Sequence, residues 1–519
     1  MVPNVPTQME ASSTLPIKPD RNILTAAKGG GIIFAGNLFQ NGSRFIIAFL
    51  MARLLGSDQL GLTNITLSAA FITASLASLG LPAAMMRYIP VFSSRRDEAG
   101  LWGTLQIGIG LTALLSVFAS LGLFLLAEPV AERLFHDSRL VPLLQIISLV
   151  ISFLALSEVF AAASRGFKVM QYAVLGQNIA QPAIRLVLIV LLAITVGLNA
   201  EKALVAFSLA VITAFFILLY FLGRLFSLKR PLRAARRDTG EILRFSLPVY
   251  LSGLISTFGN NIQAILLGAL STVANVGVFA VASQINLVGQ MFHSSIVTAS
   301  APIVSELYDR GEQEQMGRLY QAVTKWTFTL NLPLFLIVLL FPEPILSIFG
   351  KSFVGGATAL TILAWANLVT TGTGICGAVL DMTGNTTLKM VNSLVTFGLT
   401  LGLNILLIPH WGLVGAAIAA LIAATVVNLL RLTEVFVLFR LLPYNLSFVK
   451  PIIAGLSTLA VAVGLRLLIS HSLNLIGFVI SVVVILAVYA GTILILGLSQ
   501  EDRMVLARVG ERVKSALPK

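Results

Sequence analysis

The sequence predicts an all-α polytopic membrane protein of about 14 transmembrane helices, built as two pseudo-twofold-related six-helix lobes plus two C-terminal helices. Three observations carry that expectation. Of the 519 residues, 57% are hydrophobic and 11% are charged, whereas soluble chains carry about 25% charge, so most of the surface must face lipid. From Gly29 onward, apolar runs long enough to cross about 30 Å of hydrocarbon alternate with short polar breaks. The two halves of the chain also repeat one another at a shift close to 216 residues.

Residues 1–28 are polar and punctuated by Pro3, Pro6, Pro16 and Pro19, and read as a retained cytoplasmic tail rather than a signal peptide. The runs that follow are 29–52, 61–86, 101–127, 140–163, 171–197, 203–223, 245–270, 275–302, 319–341, 357–380, 388–409, 412–439, 449–470 and 475–498. Lipid offers backbone N–H and C=O groups no partner, so runs of this length must be helices. Spans 1–6 form an N-lobe (29–224), a basic linker follows (225–244), and spans 7–12 form a C-lobe (245–440). Spans 13 and 14 occupy 441–498, ahead of a basic C-terminal tail, 499–519. With the N-terminus inside, 27 of the 35 Lys and Arg residues fall on the cytoplasmic side. Arg53, Arg133, Arg139, Lys202 and Lys351 fall outside, and Arg44, Arg185 and Arg466 lie within spans. That asymmetry puts both termini in the cytoplasm and accounts for the net charge of +13 without nucleic acid.

The repeat is read from matching stretches. LLGSDQLGLTNITLSAAFIT aligns with LSTVANVGVFAVASQINLV, pairing Leu54 with Leu270 and Gly61 with Gly277. Further on, Pro129 pairs with Pro344, Gly166 with Gly384 and Gly197 with Gly415, all at offsets of 214–218. Six spans is an even number, so the lobes insert in the same orientation, and parallel repeats place a substrate cavity at the midplane between them.

No catalytic residue and no enzyme signature emerges. Gly350-Lys351-Ser352 ends like a phosphate-cradling loop but lacks the preceding glycine, because Ile345 stands there. The histidines His136, His293, His410 and His471 have no ligand spacing, and Cys376 is alone, so neither a metal site nor another cofactor is expected. The informative residues are ionisable groups within spans, which cost at least about 2.5 kcal/mol at mid-bilayer and usually face a watery interior. Arg44 follows Asn37, Gln40 and Asn41 on span 1, and Arg185 shares a polar face of span 5 with Gln177, Asn178 and Gln181. A guanidinium matches phosphate as a bidentate fork, so this wall suits an anionic headgroup. The alternative is interhelical glue, with Glu158 or a backbone carbonyl as partner. On spans 7 and 8, Asn260, Asn261, Gln263, Gln284, Asn286 and Gln290, with His293, form an uncharged stripe. Amides of this kind suit sugar hydroxyls, or join helices. Glu158, Asp381 and Glu434 are the carboxylates weighed for proton or sodium coupling, with simple pairing, as of Glu434 with Arg431, as the alternative.

The stretch MARLLGSDQLGLTNITLSAAFITASLASLGLPAAMMRYIP (Met51 to Pro90) resembles the opening of the polysaccharide-transporter family, with its LGxxxxG loop and its Arg87-Tyr88 pair. IPHWGLVGAAIAALIAATVVNLLR (Ile408 to Arg431) resembles the junction of that family's spans eleven and twelve, and the likeness covers roughly residues 25–450. The family belongs to the multidrug/oligosaccharidyl-lipid/polysaccharide exporter superfamily and includes O-antigen flippases. The resemblance implies V-shaped lobes that alternate access and flip polyprenyl-pyrophosphate-linked oligosaccharides across the inner (plasma) membrane. The implied partners are that lipid-linked oligosaccharide, membrane lipids and the polysaccharide assembly machinery. Spans 13 and 14 favour the lipid-linked-sugar branches, since extra helices can form a groove for a polyprenyl tail. The rivals are a multidrug or cation antiporter, which needs a cavity carboxylate, and a membrane polysaccharide polymerase or ligase, which carries large outer loops.

Overall fold

The computed structural model describes residues 21–227, 231, 235–468, 475–497 and 502. Most of both expected tails, together with Lys229, Arg230 and Arg233 of the linker, lies outside the described residues, as does the side chain of Arg466. Every regular element among the described residues is helical.

The first half runs α1 (Arg21–Ser78), α2 (Leu81–Ser94), α3 (Glu98–Leu125), α4 (Leu140–Ser148), α5 (Ile151–Gly166), α6 (Met170–Thr195) and α7 (Ala200–Leu225). The second half runs α8 (Thr239–Leu270), α9 (Val273–Asp309), α10 (Gln313–Leu340), α11 (Pro342–Phe349), α12 (Ala357–Thr373), α13 (Cys376–Met382) and α14 (Thr386–Phe439). Two further helices follow, α15 (Val449–Leu468) and α16 (Leu475–Ile495). They dock on α10, where Leu332, Phe335 and Leu336 pack with Ala454 and Tyr489, and the Phe341 and Phe478 rings meet edge to face.

Eleven of the described helices are long and apolar enough to cross a membrane, or twelve if the pair Leu140–Ser148 and Ile151–Gly166, bent by 41°, is one span. Two of the eleven, Gly31–Ser78 and Thr386–Phe439, are 48 and 54 residues long, more than twice the roughly 20 that cross hydrocarbon. Each holds one glycine with non-helical backbone, Gly56 (φ 73°) and Gly412 (φ 50°). The expected fourteen spans are reached only by dividing both helices at those glycines. α1 also begins at Arg21, ahead of the expected Gly29.

The repeat appears as a reciprocal contact. A methyl group on Gly61 would collide with the Val273 carbonyl oxygen, and one on Gly277 with the Ser57 carbonyl oxygen. Ser57 and Val273 are themselves 216 residues apart, so each half offers the other the same two positions, as a twofold axis requires. Left-handed backbone recurs with the same period, Arg96 matching Gly311, Lys168 matching Gly384 and Gly197 matching Gly412. The sequence pairings are corrected at two of these positions. Gly197 corresponds to Gly412, since Gly415 is helical and packed on the Leu407 carbonyl, and Gly384 corresponds to Lys168, whose φ is 63°, rather than to Gly166.

Among the breaks that escape the repeat, two carry left-handed backbone. Between α1 and α2, Leu79 and Gly80 have φ of 46° and 69°, whereas the equivalent part of α9 is continuous. Gly374 (φ 72°) separates α12 from the short α13, whereas α5 is unbroken there. The break at Gly80 lets α2 approach α8 closely: an added methyl would lie 2.6 Å from the Ser246 carbonyl oxygen. Beside it, the Tyr250 hydroxyl donates to the Leu76 carbonyl at 3.0 Å.

The linker is fastened to the first half. The Arg236 amide donates to the Ala99 carbonyl at 3.0 Å, and Trp102 Nε1–H donates to the Pro231 carbonyl at 3.1 Å. The Arg236 guanidinium meets Asp97 at 2.7 Å and Asp238 at 3.1 Å. Asp97 caps α3 through the Gly100 N–H, and that bond, with Arg236 beside it, holds its carboxyl below the usual carboxylate range.

Candidate functional site: a cationic stripe between two helices

Asn37, Gln40 and Arg44 on α1, and Asn178, Gln181 and Arg185 on α6, are both spaced i, i+3, i+7, which places each triplet on one helical face. The faces meet. Asn178 Nδ2 donates to Asn37 Oδ1 at 2.8 Å and to Gln40 Oε1 at 3.2 Å. One turn back, Gly36 abuts Val174 so closely that no side chain fits between the helices. The same register carried two turns on sets Arg44 and Arg185 near one another, close enough for their positive charges to repel.

Local sequence explains why α6 presents this face. Pro182 has no N–H and its ring crowds the preceding carbonyls, and the turns before it widen into a π-helix over Val174–Ala180. That widened segment carries Gln177 and Asn178. Such bulges re-aim side chains and recur at functional positions.

The two arginines differ in setting. Arg185 lies over the Phe207 ring, 5.0 Å from its centroid, and places Nη2 3.4 Å from Met51 Sδ, a weak acceptor. Its Nε is shielded and has no hydrogen-bond partner. Arg44 is exposed. Neither arginine forms an ion pair among the described residues. Glu158, weighed as the partner of Arg185, is occupied otherwise: Gln177 Nε2 donates to it at 2.9 Å, while Arg165 donates to Gln177 Oε1 at 3.0 Å. The interhelical-glue pairing with Glu158 is therefore not the one formed. Asn41 beside the stripe and Gln181 within it are half-buried and without hydrogen bonds among the described residues.

The second-half stripe is dispersed. Asn261 donates to its own helix at the Thr257 carbonyl (2.8 Å), and Gln263 donates to the Ala416 carbonyl of α14 at 3.2 Å. Asn260 and Gln290 are exposed, Gln284 is half-buried, and His293 Nδ1 is buried without a partner. Asn286 faces a different space, a cavity of about 460 Å³ between α1 and the second half. Phe45 and Phe49 of α1, Phe349 of α11 and Phe478 of α16 wall it, and Asn331 and Asn367 join Asn286 as its polar lining. The carboxylates weighed for coupling are engaged as well. Asp381 pairs with Lys389 at 2.9 Å, and Glu434 accepts from Asn392 Nδ2 at 2.7 Å rather than pairing with Arg431.

Sequence reading missed a polar cluster that joins α10, α12 and α14. Asn331 donates to Thr371 (3.1 Å) and accepts from Asn367 (3.2 Å), while Asn428 donates to Thr370 (3.3 Å) and accepts from Thr373 (3.3 Å). The available signal was the run of Asn367, Thr370, Thr371 and Thr373 on one span. Also missed were the Lys325–Asp502 pair at 2.8 Å, with Lys325 only 5% exposed, and the Arg139–Asp58 fork. Ser352, at the end of the rejected phosphate-loop motif, accepts from the Ser57 N–H at 3.3 Å and so serves the start of span 2.

Comparison with known proteins bears on this geometry. A family model described as polysaccharide biosynthesis protein matches residues 26–308, and one described as MatE matches residues 248–406. Stage V sporulation protein B of Bacillus subtilis (strain 168) is 24% identical over 509 residues, covering 92% of this chain and 97% of that protein. The probable low-salt glycan biosynthesis flippase Agl15 of Haloferax volcanii is 25% identical over 206 residues, covering 40% of this chain and 43% of that protein. The lipid II flippase MurJ in an inward closed conformation superposes with a TM-score of 0.69 at 15% identity, over 90% of this chain and 98% of that one. An inward-facing multidrug resistance MATE family transporter of the MOP superfamily superposes with a TM-score of 0.65 at 18% identity, over 77% and 94%. At such identities the two superpositions speak to the fold.

Proposed function

The chain belongs to the polysaccharide biosynthesis protein family, and from that premise we propose that it flips a polyprenyl-pyrophosphate-linked oligosaccharide across the inner membrane by alternating access. In this reading the moving bodies are residues 29–224 and 245–440, both termini are cytoplasmic, and Arg44 and Arg185 dock the pyrophosphate. The observation that carries it is the juxtaposition of two guanidinium groups on α1 and α6 without a carboxylate partner among the described residues. A pyrophosphate has negative oxygens enough to meet both forks, and charge-assisted contacts of that kind are worth about 1.5–3 kcal/mol each.

The neighbouring amides suit the sugar. Asn41, Gln181, Asn260, Gln284 and Gln290 have donors and acceptors not spent among the described residues, as hydroxyl recognition requires. The apolar cavity between α1, α9 and α16 supports a place for the polyprenyl chain, and Phe478 accounts for the use of a last helix beyond the two six-span lobes. Against a cation or drug antiporter stands the state of the carboxylates, each engaged by a neighbour. Of the three, Glu158 and Glu434 are the ones we propose for ion coupling, since each has a neutral amide as its partner, whereas Asp381 pairs with Lys389.

The test is flipping of a fluorescent polyprenyl-pyrophosphate-linked sugar in liposomes containing the purified protein. Wild type accelerates flipping, and Arg44→Gln with Arg185→Gln lowers the rate at least about ten-fold while the thermal midpoint is kept. An unchanged rate removes the docking assignment. A wild type that moves cationic dyes and no lipid-linked sugar gives the antiporter reading the better claim.

A further inference from the structure

The repeat pairs two short connecting segments, one around Pro129 and one around Pro344. Both lie at the end of the molecule away from the linker. α3 leaves its linker contact at Ala99 and runs to Leu125 before the first segment, and α10 runs into the second, α11. The prolines are 215 residues apart, whereas the phenylalanines that follow them, Phe135 and Phe349, are 214 apart. A π-turn over Val130–Leu134 takes up the extra residue, because its i→i+5 bond closes over one residue more than an α-turn. Each segment then turns on positive-φ backbone at the next position, His136 (54°) and Gly350 (143°).

Both phenylalanines stand on connections, yet they are only 5% and 4% exposed. The reason is that each lies against the other half. Phe349 of the second half meets Phe49 and Phe45 of α1 edge to face, with ring centroids 5.5 and 6.4 Å apart. Phe135 of the first half closes on the last turn of α8, where a methyl on Gly268 would lie 3.2 Å from its ring. Both segments are also pinned just past the break at Gly56. The Ser57 N–H donates to Ser352 Oγ at 3.3 Å, and Asp58 accepts the Arg139 fork at 2.6 and 3.1 Å. Ser57 is also the residue whose carbonyl faces Gly277, so the pinning point adjoins the Gly61–Gly277 crossing.

We infer that the two segments are reciprocal clasps. Each half lays one phenylalanine on the first long helix of the other, and together they hold the molecule shut at the end away from the linker. This rests on the alternating-access reading, in which that end opens. Burial and edge-to-face pairing act only while the surfaces touch, so a tilt about the crossing would draw each ring off the opposite half. The clasps are unequal. Phe349 has two aromatic partners and the Ser352 bond beside it, whereas Phe135 faces a glycine that adds no side chain of its own.

The experiment reconstitutes the full-length protein in phosphatidylcholine liposomes, without substrate, and measures the distance between two spin labels. The labels sit on Leu125→Cys of α3 and Leu406→Cys of α14, both exposed, in a Cys376→Ser background. The labelled background shows one dominant, short distance. Phe349→Ala raises the ratio of a longer distance to the short one about ten-fold and Phe135→Ala about three-fold, and the two factors multiply in the double variant. Leu346→Ala removes a buried side chain of α11 that stands beside Gly356 of its own half, and leaves the ratio unchanged. An unmoved ratio in Phe349→Ala overturns the inference, as does an equal shift from Leu346→Ala, which marks general loosening of the segment. Where Phe349→Ala does not fold, Phe49→Ala removes the same contact from the other side and decides in its place. Distances that lengthen in a protein that moves no lipid-linked sugar keep the clasps and sink the flipping reading, and a flipping protein with unmoved distances does the reverse.

Discussion

The two halves share a backbone plan and divide the chemistry between them. At the 216-residue offset Arg44 meets Asn260 and Arg185 meets Leu401, so neither arginine of the stripe has a basic counterpart in the second half. The second half instead knits its helices with the neutral Asn331, Asn367 and Thr371 cluster. The seams differ too. Where α2 meets α8, the break at Gly80 brings backbone against backbone, while at the symmetry-related seam α1 and α9 leave a cavity walled by phenylalanines. Duplication supplies a symmetric frame, and departures from the symmetry mark where the halves have been put to separate uses.

The largest expected effect tests the shared frame. Gly61→Leu and Gly277→Leu should each prevent recovery of folded protein, since overpacking a close crossing costs about 1–3 kcal/mol or more and here the obstacle is a carbonyl group. Detergent-soluble yield and thermal midpoint measure this, and damage confined to one of the two variants would break the reciprocity. Next, Arg44→Asn copies the second half into the first and should lower flipping about ten-fold, whereas Asn260→Arg copies the first into the second and should leave the rate within about three-fold. Comparable losses from both would show that the charge difference is incidental. A smaller effect is expected from Asn331→Leu, which strands Thr371 and Asn367 at about 1–3 kcal/mol, while Asn41→Leu in the first half should leave the thermal midpoint unmoved.

The smallest effect concerns the fastened linker. The Asp97 carboxyl is held low by the Gly100 N–H and by Arg236, so its stabilisation is present at neutral pH and fades as pH falls through its folded-state value. Fluorescence of Trp102 in a variant lacking the other tryptophans should therefore change on acidification below the ordinary carboxylate range, and Asp97→Asn should show the changed signal already at neutral pH.

Hydropathy made the helices legible because backbone in lipid has few alternatives, and the glycine spacing made the duplication legible because Gly61 and Gly277 are held by contact with each other's half. The arginine stripe was legible for a similar reason: a charge in an apolar run is conspicuous, and i, i+3, i+7 spacing follows from helix geometry alone. Asn331 and Asn367 were not, since lone amides in apolar spans barely disturb hydropathy and their partners lie up to 40 residues away. Nor was the fastening of the linker, where Trp102 finds Pro231 across 129 residues. The counterpart of Gly197 was misread because Gly412 and Gly415 differ in backbone conformation and not in residue type.

In the proposed alternating-access cycle the Gly61–Gly277 crossing would serve as a fulcrum. With main chain resting on main chain there is no slack for the halves to slide at that level, so in that cycle their relative movement would be a tilt about it. A lever of about 30 Å, the depth of the hydrocarbon layer, swings its far end by roughly 5 Å for a tilt of about 10°. In that cycle the end that swings would be the one spanned by the linker, and a strap anchored on one arm there would limit how far the mouth can gape.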